Sequence, residues 1–190
     1  MVMQEIRFTL KDGREAILRS PAEEDADSTL EHLYLAAGET EFVLQYPEER
    51  GADTTEDIKR LFVEKNNSLY DAMMLCLVNG NVVGSGEISF HKEIKIRHRA
   101  DLGITISKAF WNQGIGTRML EEMIGIAQMR KEVRQVELEF VEGNTRARHL
   151  YEKMGFRIVG EHPAAIRLKD GTMLKEYLMI REMEKTEGEG

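Results

Sequence analysis

The stretch that decides the fold is Trp111–Leu120, which reads WNQGIGTRML. Two glycines precede an apolar run with helical spacing, a pattern typical of a turn that opens a helix. The first N–H groups of a helix have no acceptor within it, so they can bind an anion. We therefore expect this turn to hold a phosphate through backbone donors, with Arg118 adding a charged contact. The expected donors are Gln113, Gly114, Ile115, Gly116 and Thr117.

Two other glycine-rich motifs fit this stretch poorly. The dinucleotide-binding motif needs a third glycine at the position of Met119, and its glycines follow the strand directly. A P-loop needs Gly-Lys followed by Ser or Thr, and this does not follow Gly116. An ordinary glycine turn before a helix remains an equally good interpretation of the stretch taken alone.

A second stretch, Asn144–Phe156, reads NTRARHLYEKMGF. Asn144 fits a helix N-cap, and Gly155 fits a C-terminal stop. Tyr151 lies at helical spacing from Ala147, on the apolar face of the predicted helix. From the residues alone, packing in the core is the simplest interpretation of this tyrosine.

The order and spacing of the two stretches resemble the GCN5-related N-acetyltransferase (GNAT) family, which uses acetyl-CoA. The phosphate motif of the family has Gln or Arg, two residues, Gly, one residue, and then Gly or Ala. Gly114 and Gly116 match this motif, whereas Trp111 stands where Gln or Arg is expected. The resemblance extends from about Ser20 to Met183. It implies that acetyl-CoA is the co-substrate and that its pyrophosphate lies on the glycine turn.

The resemblance also implies roles for residues on either side of the turn. When an amine attacks a thioester, a thiolate leaves, and a proton donor beside it assists this step. In the family the phenol of Tyr151 takes this role, and Asn144 contacts the pantetheine arm. The strand Asp101–Ile106 is expected to line the thioester, with Ile104 and Ile106 binding the cofactor through backbone groups.

A carboxylate, directly or through a water, is the usual acceptor for the proton of the attacking amine. Glu87 and Asp101 lie on the two predicted strands nearest the site, so they are the candidates for this general base. Glu139 is a poorer candidate. For each of them, an exposed strand carboxylate without a catalytic role is the alternative, and many family members use water and backbone alone.

The pattern of turns and periodic runs predicts a mixed α/β (α+β) fold, in the order strands, two helices, antiparallel meander, helix, strand, helix and hairpin. Asn79-Gly80 predicts a hairpin turn. Ser20-Pro21 predicts the start of a helix that ends at Gly38. The resemblance sharpens this to a GNAT-like acyl-CoA N-acyltransferase fold of about seven strands and about four helices. In that fold the strands Ala100–Ser107 and Val136–Phe140 run parallel and splay apart.

Composition limits the classes of protein that fit. The 190 residues are 42% hydrophobic and 32% charged, which is typical of a globular chain. We expect one domain over residues 1–184, followed by a polar tail over 185–190. No apolar run approaches the length of a membrane helix and no signal peptide is recognisable, so a cytoplasmic protein without a membrane partner is expected.

Charge and metal-ligating residues narrow the function further. The formal net charge of −8 argues against a nucleic-acid partner. Cys76 lies in an apolar run, which favours a buried, inert thiol over a nucleophile. The five histidines show no ligand spacing, so we expect no metal.

The acceptor amine is the least determined part of the function. The segment Glu39–Pro47 carries two acids and two aromatics, which suits an ammonium group or an apolar side chain. We predict direct transfer of an acetyl group to the primary amine of a small molecule, such as an amino acid or a polyamine. A protein or peptide acetyltransferase and a non-catalytic acyl-CoA-binding module are the alternatives. The last hairpin is a plausible homodimer interface.

Overall fold

The computed structural model describes residues 1–183, and within them the chain forms eight strands and five α-helices. The strands are β1 (Ile6–Thr9), β2 (Glu15–Arg19), β3 (Asp71–Val78), β4 (Asn81–Phe90), β5 (Arg99–Ile106), β6 (Gln135–Val141), β7 (Arg157–Arg167) and β8 (Met173–Glu182). The helices are α1 (Ala26–Glu39), α2 (Pro47–Arg50), α3 (Thr55–Asn67), α4 (Ile115–Gln128) and α5 (Thr145–Lys153). The mixed α/β class is confirmed. The predicted tail over 185–190 lies outside the described residues.

The strands form one mixed sheet in the order β1-β2-β3-β4-β5-β6-β8-β7. The pairs β1–β2, β2–β3, β6–β8 and β7–β8 are antiparallel, whereas β5 and β6 are parallel, as predicted. The parallel register pairs Arg99–Asp101 with Gln135–Glu137. Both strands continue beyond this register, to Ile106 and Val141, and the splay between them stays a prediction.

Contacts within the chain group it into two compact units. The first unit contains Met1–Ile88 and Gly103–Leu120, and the second contains Ser89–Leu102 and the described chain from Glu121 onward. The unit boundaries pass through β4, β5 and α4. The prediction of a single domain over residues 1–184 stays a prediction.

Two helices cover one face of the sheet in the first unit. Residues of α1, α3, β3 and β4 form a buried hydrophobic cluster, whose members are Ala26, Ile58, Phe62, Met73, Leu75, Leu77 and Val82. The residues of β3 that lie between the cluster members, on the opposite face of the sheet, are also buried, as expected for a strand covered on both faces. This packing fixes α1 and α3 against the strands that precede β5.

The second unit is built around β6. Val136, Leu138 and Phe140 alternate along this strand and are buried, which confirms the predicted period of two. The ring of Phe140 lies 6.3 Å from that of Tyr151 and 5.2 Å from that of Tyr177, measured between centroids. Helix α5 is therefore held to the sheet through an aromatic cluster.

The start of the first helix differs from the prediction. Ser20 does not cap a helix, because its hydroxyl accepts a hydrogen bond from the Met3 N–H at 2.8 Å. A short 3-10 turn over Glu23–Asp25 comes first, and α1 begins at Ala26. The helix also continues past Gly38 to its last residue, Glu39.

The hairpin turn between β3 and β4 is confirmed. Asn79 and Gly80 have φ values of 51° and 80°, as the two-residue turn with positive φ at both positions requires. In residues 1–183, helices are too short or too polar to cross a membrane.

Candidate active site

The glycine turn has the geometry that an anion site needs. Gly114 has a φ of 95°, which side chains with a Cβ rarely adopt. The first hydrogen bond of α4 runs from the Arg118 N–H to the Gly114 carbonyl at 3.1 Å. The N–H groups of Ile115, Gly116 and Thr117 precede that bond and have no acceptor within the helix. Gly116 has ordinary helical backbone, so its φ does not require a glycine.

The turn is fixed to the β1–β2 hairpin through Gln113. Its carbonyl accepts a hydrogen bond from the Lys11 N–H at 3.3 Å. Its side-chain oxygen accepts another from the Asp12 N–H at 3.1 Å. The side-chain oxygen of Gln113 is therefore engaged by the protein, and its backbone N–H is the group expected to meet a phosphate.

The residues before the turn are tied to β5 and α1. Trp111, which stands at the position of the expected Gln or Arg, donates its indole N–H to the Ile106 carbonyl at 2.7 Å. Glu39 accepts a hydrogen bond from the Lys108 N–H at 2.6 Å. Ile104 lies half-buried two residues before Ile106 on β5. These contacts connect the strand expected to bind the thioester with the turn expected to bind the phosphates.

A buried histidine supports the end of β5. His32 on α1 is 1% exposed, and its Nδ1 lies 2.7 Å from the hydroxyl oxygen of Ser107. Burial and the nearby charge of Arg50 together lower the pKa of His32 to about 4, against a hydrogen bond with the Thr105 backbone. The ring is therefore neutral at physiological pH, and it packs beneath the strand without a charge.

Glu87 lies in the first unit and is engaged by a lysine. Lys65 on α3 donates to one carboxylate oxygen of Glu87 and lies 3.3 Å from Asp71. Burial opposes the charge of Lys65, but the two carboxylates outweigh it and raise the pKa of this lysine. The ion pair occupies part of the carboxylate that was the first candidate for a general base.

The second carboxylate candidate lies in the other unit. Asp101 is 54% exposed at its side chain, and its Oδ2 lies 3.1 Å from Nε2 of His91. Glu139 is on β6, where burial raises its pKa and the charges of Glu176 and Asp101 raise it further. A raised pKa suits a carboxylate to accept protons near neutral pH, so the environment of Glu139 is more favourable than its sequence suggested.

Asn144 and Tyr151 also lie in the second unit. Asn144 is confirmed as the N-cap of α5, because its side-chain oxygen accepts a hydrogen bond from the Ala147 N–H at 3.2 Å. Tyr151 is 6% exposed and packs against Phe140 and Phe156. Burial raises the pKa of Tyr151 to about 12, although the charge of Arg146 opposes the shift. The phenol therefore keeps its proton at neutral pH and remains a donor.

The predicted residues thus fall into two sets. The first unit contains the glycine turn, Ile104, Ile106 and Glu87, and the second contains Asp101, Glu139, Asn144 and Tyr151. Sequence reasoning missed His32, Lys65 and the half-buried Arg50. The partners of His32 and Lys65 are distant in sequence, at Ser107 and Glu87, so local patterns gave no signal of these contacts.

No group of three or more metal-ligating side chains occurs within residues 1–183. Cys76 is buried, and burial raises the pKa of its thiol to about 12. This thiol stays protonated at physiological pH, whereas a nucleophilic cysteine reacts as the thiolate.

Comparison with known families identifies a match over most of the chain. The model of an acetyltransferase (GNAT) domain matches residues 15–157. The L-amino acid N-acetyltransferase AaaT of Escherichia coli strain K12 is 29% identical over 108 residues, which make up 57% of this chain and 66% of that relative. The match therefore spans slightly less than two thirds of the length of that relative.

Two solved structures have the same fold. An acetyltransferase of the GNAT family from Streptococcus pneumoniae has a TM-score of 0.81 and 29% identity, covering 88% of this chain and 99% of that chain. A GNAT superfamily phosphinothricin acetyltransferase from Sinorhizobium meliloti, in complex with acetyl-CoA, has a TM-score of 0.74 and 21% identity. That comparison covers 91% of this chain and 94% of the other.

The buried His32 predicts a loss of stability in acid. Its pKa falls from 6.5 to about 4 on folding, so between these values the unfolded chain binds a proton that the folded chain excludes. The free energy of unfolding should therefore decrease as pH falls from 6.5 to 4, by about 3 kcal/mol from this residue. Urea unfolding of the wild type and of His32→Gln across this range measures the difference.

His149→Gln is the matched control, because His149 is exposed. In this control the free energy of unfolding should decrease in acid as much as it does in the wild type. His32→Gln should be less stable than the wild type at pH 7 and should lose less stability on acidification. Equal pH dependence in the wild type and His32→Gln would contradict the interpretation.

Proposed function

Because the chain belongs to the GNAT family of acetyl-CoA-dependent N-acetyltransferases, we propose that it transfers an acetyl group from acetyl-CoA directly to the primary amine of a small molecule. The observation that carries the proposal is the glycine turn, where Gly114 has a φ of 95° and N–H groups precede the first hydrogen bond of α4. This arrangement suits a pyrophosphate. The resemblance to the E. coli L-amino acid N-acetyltransferase favours a small acceptor.

Cofactor binding is assigned to the backbone. The N–H groups from Gln113 to Thr117 hold the pyrophosphate, with Arg118 adding a charged contact. The positive end of the α4 dipole adds a further favourable term of roughly 0.3–1 kcal/mol for an anion. Asn144 contacts the pantetheine arm. Ile104 and Ile106 bind the acyl end through backbone groups, so the thioester carbonyl meets fixed dipoles as negative charge develops on its oxygen.

The transfer itself needs one proton acceptor and one proton donor. The neutral amine attacks the carbonyl carbon, a C–N bond forms, and the C–S bond then breaks. A carboxylate or water takes the proton of the attacking nitrogen, and the phenol of Tyr151 protonates the leaving thiolate. Asp101 and Glu87 remain the carboxylate candidates, and the raised pKa of Glu139 supports adding it to them.

A thiol-release assay tests the function. Purified protein, acetyl-CoA and single amines are combined, and free CoA thiol is measured. The panel contains amino acids, polyamines, aminoglycosides and short peptides with free N-termini. Turnover of a small amine supports the proposal, and turnover of peptides alone would replace it with a peptide acetyltransferase. Binding of acetyl-CoA without turnover of any amine or peptide would favour the non-catalytic module.

Tyr151→Phe should lower kcat by roughly 100-fold, because a positioned general acid contributes about 10² or more. The Kd for acetyl-CoA should change little, since the ring and its packing remain. Steady-state kinetics and calorimetry measure the two quantities. Tyr177→Phe is the matched control, because Tyr177 stacks on the same Phe140 ring, and it should keep wild-type kcat. Unchanged kcat in Tyr151→Phe would remove this phenol from the mechanism.

Gly114→Ala should weaken binding of acetyl-CoA, because alanine disfavours the φ of 95° that shapes the turn. Gly171→Ala imposes the same strain at a φ of 89°, in the hairpin between β7 and β8. A Cβ at either glycine would meet no atom within 4 Å. Both variants should lose similar stability, as measured by thermal unfolding. Only Gly114→Ala should raise the Kd for acetyl-CoA. Equal binding by the two variants would exclude this turn from the cofactor site.

A further inference from the structure

The segment between α1 and α3, residues 40–54, carries a shielded positive charge. The side chain of Arg50, at the end of α2, is 17% exposed, whereas that of its ion-pair partner Asp53 is 37% exposed. A guanidinium is costly to shield from water unless its donors are satisfied. The contacts of Arg50 therefore indicate what this charge is for.

The donors of Arg50 are only partly used. Its Nη1 lies 3.5 Å from Oδ2 of Asp53, which is at the limit of a hydrogen bond. Its Nε is buried and has no hydrogen-bond partner among the described residues. A guanidinium has five N–H donors arranged as a fork that matches a carboxylate. Arg50 therefore has the capacity to bind an anion beyond Asp53.

Arg50 lies near the strand that is proposed to bind the thioester. Its charge reaches His32, where it helps to lower the pKa of the buried ring. His32 in turn contacts Ser107, the residue that follows β5, at 2.7 Å. Helix α2 packs against α1, which carries His32. Arg50 and the C-terminal end of β5 thus belong to the same compact unit and are linked through α1 and His32.

Two acids around this segment are committed to structural contacts. Glu39, at the end of α1, accepts a hydrogen bond from the Lys108 N–H at 2.6 Å. Glu49 accepts one from the Tyr46 N–H at 2.7 Å. The sequence suggested that Glu39 and Glu41 would hold an ammonium group of the acceptor, and of these two Glu39 is engaged by a backbone N–H. With the carboxylates of Glu39 and Glu49 engaged by backbone N–H groups, Arg50 is the shielded cation of the segment with donors to spare.

We propose that Arg50 binds a carboxylate of the acceptor, so that the substrates are amino acids or other amines that carry a carboxylate close to the amine. The inference rests on the proposed function and extends it by naming the chemical class of the acceptor. The guanidinium donates two parallel hydrogen bonds to the carboxylate, which orients the amine as well as holding it. A polyamine, which offers only positive charge, is repelled.

The wild-type protein tests the substrate class without any substitution. Thiol release is measured with pairs of acceptors that differ only in the carboxylate: leucine with isoamylamine, phenylalanine with phenethylamine, and methionine with 3-(methylthio)propylamine. The amides of the same amino acids form a third set, in which a neutral carboxamide replaces the carboxylate. The kcat/KM of the amino acid in each pair should be at least about tenfold higher than that of the matched amine, as expected for a charge-assisted hydrogen bond.

Substitutions then assign the effect to Arg50. Arg50→Met should lower kcat/KM for the amino acid by about 10- to 100-fold, mainly through KM. The value for the matched amine should change by less than about threefold. Arg50→Lys should retain part of the preference, because it keeps the charge but loses the fork. Arg60→Met removes the same charge from an exposed site on α3, where the side chain is 76% exposed, and should leave the preference unchanged.

Calorimetry with acetyl-CoA separates folding from recognition. Arg50→Met should bind acetyl-CoA with the wild-type Kd, and if it fails to fold, Arg50→Lys and the wild-type pairs carry the test. Equal kcat/KM for acids and decarboxylated amines would overturn the inference while leaving the proposed function intact. The inference would also be overturned if Arg50→Met lowered kcat/KM equally for the amino acid and for its matched amine. Absence of turnover with every amine would reject both, because the acceptor class has meaning only for an enzyme.

Discussion

The reversal of the chain between β5 and α4 is the constraint on which the proposed chemistry depends. Within a few residues the backbone leaves a strand, passes through positive φ at Asn112 and Gly114, and begins a helix with unbonded N–H groups. Such a path is stable only if its flanks are held. Gln113 is fixed to the β1–β2 hairpin and Trp111 to β5. The proposed anion site is therefore prepared before any ligand arrives, which would lower the entropic cost of binding.

Features encoded by neighbouring residues were predictable from the sequence. The hairpin at Asn79-Gly80, the cap at Asn144 and the glycine turn all follow from local backbone chemistry, and the structure has each of them. The predicted start of α1 was wrong because a contact distant in sequence intervenes. Ser20 is a good N-cap locally, but its hydroxyl is taken by the distant Met3 N–H. A long-range hydrogen bond decided a boundary that local preference could not.

The electrostatics of the site were the least predictable part. Whether a carboxylate can act as a base depends on its neighbours, and these come from other elements. Glu87 meets Lys65 of α3, whereas burial, and after it the charges of nearby carboxylates, raise the pKa of Glu139. Their residue type and their alternation along a strand are alike in the sequence. Only the fold distinguishes a paired carboxylate from one whose proton affinity is raised.

Net charge and local charge point to different acceptors. A chain with a net charge of −8 attracts cations at long range, but salt screens that attraction beyond about 10 Å. At contact distance the shielded groups decide, and in the segment between α1 and α3 the shielded cation is Arg50. Under the proposal a zwitterionic amino acid satisfies both requirements, because the net negative charge of the chain attracts its ammonium and the guanidinium would hold its carboxylate. Loss of one proton then gives the neutral amine that attacks the thioester, with the carboxylate still bound.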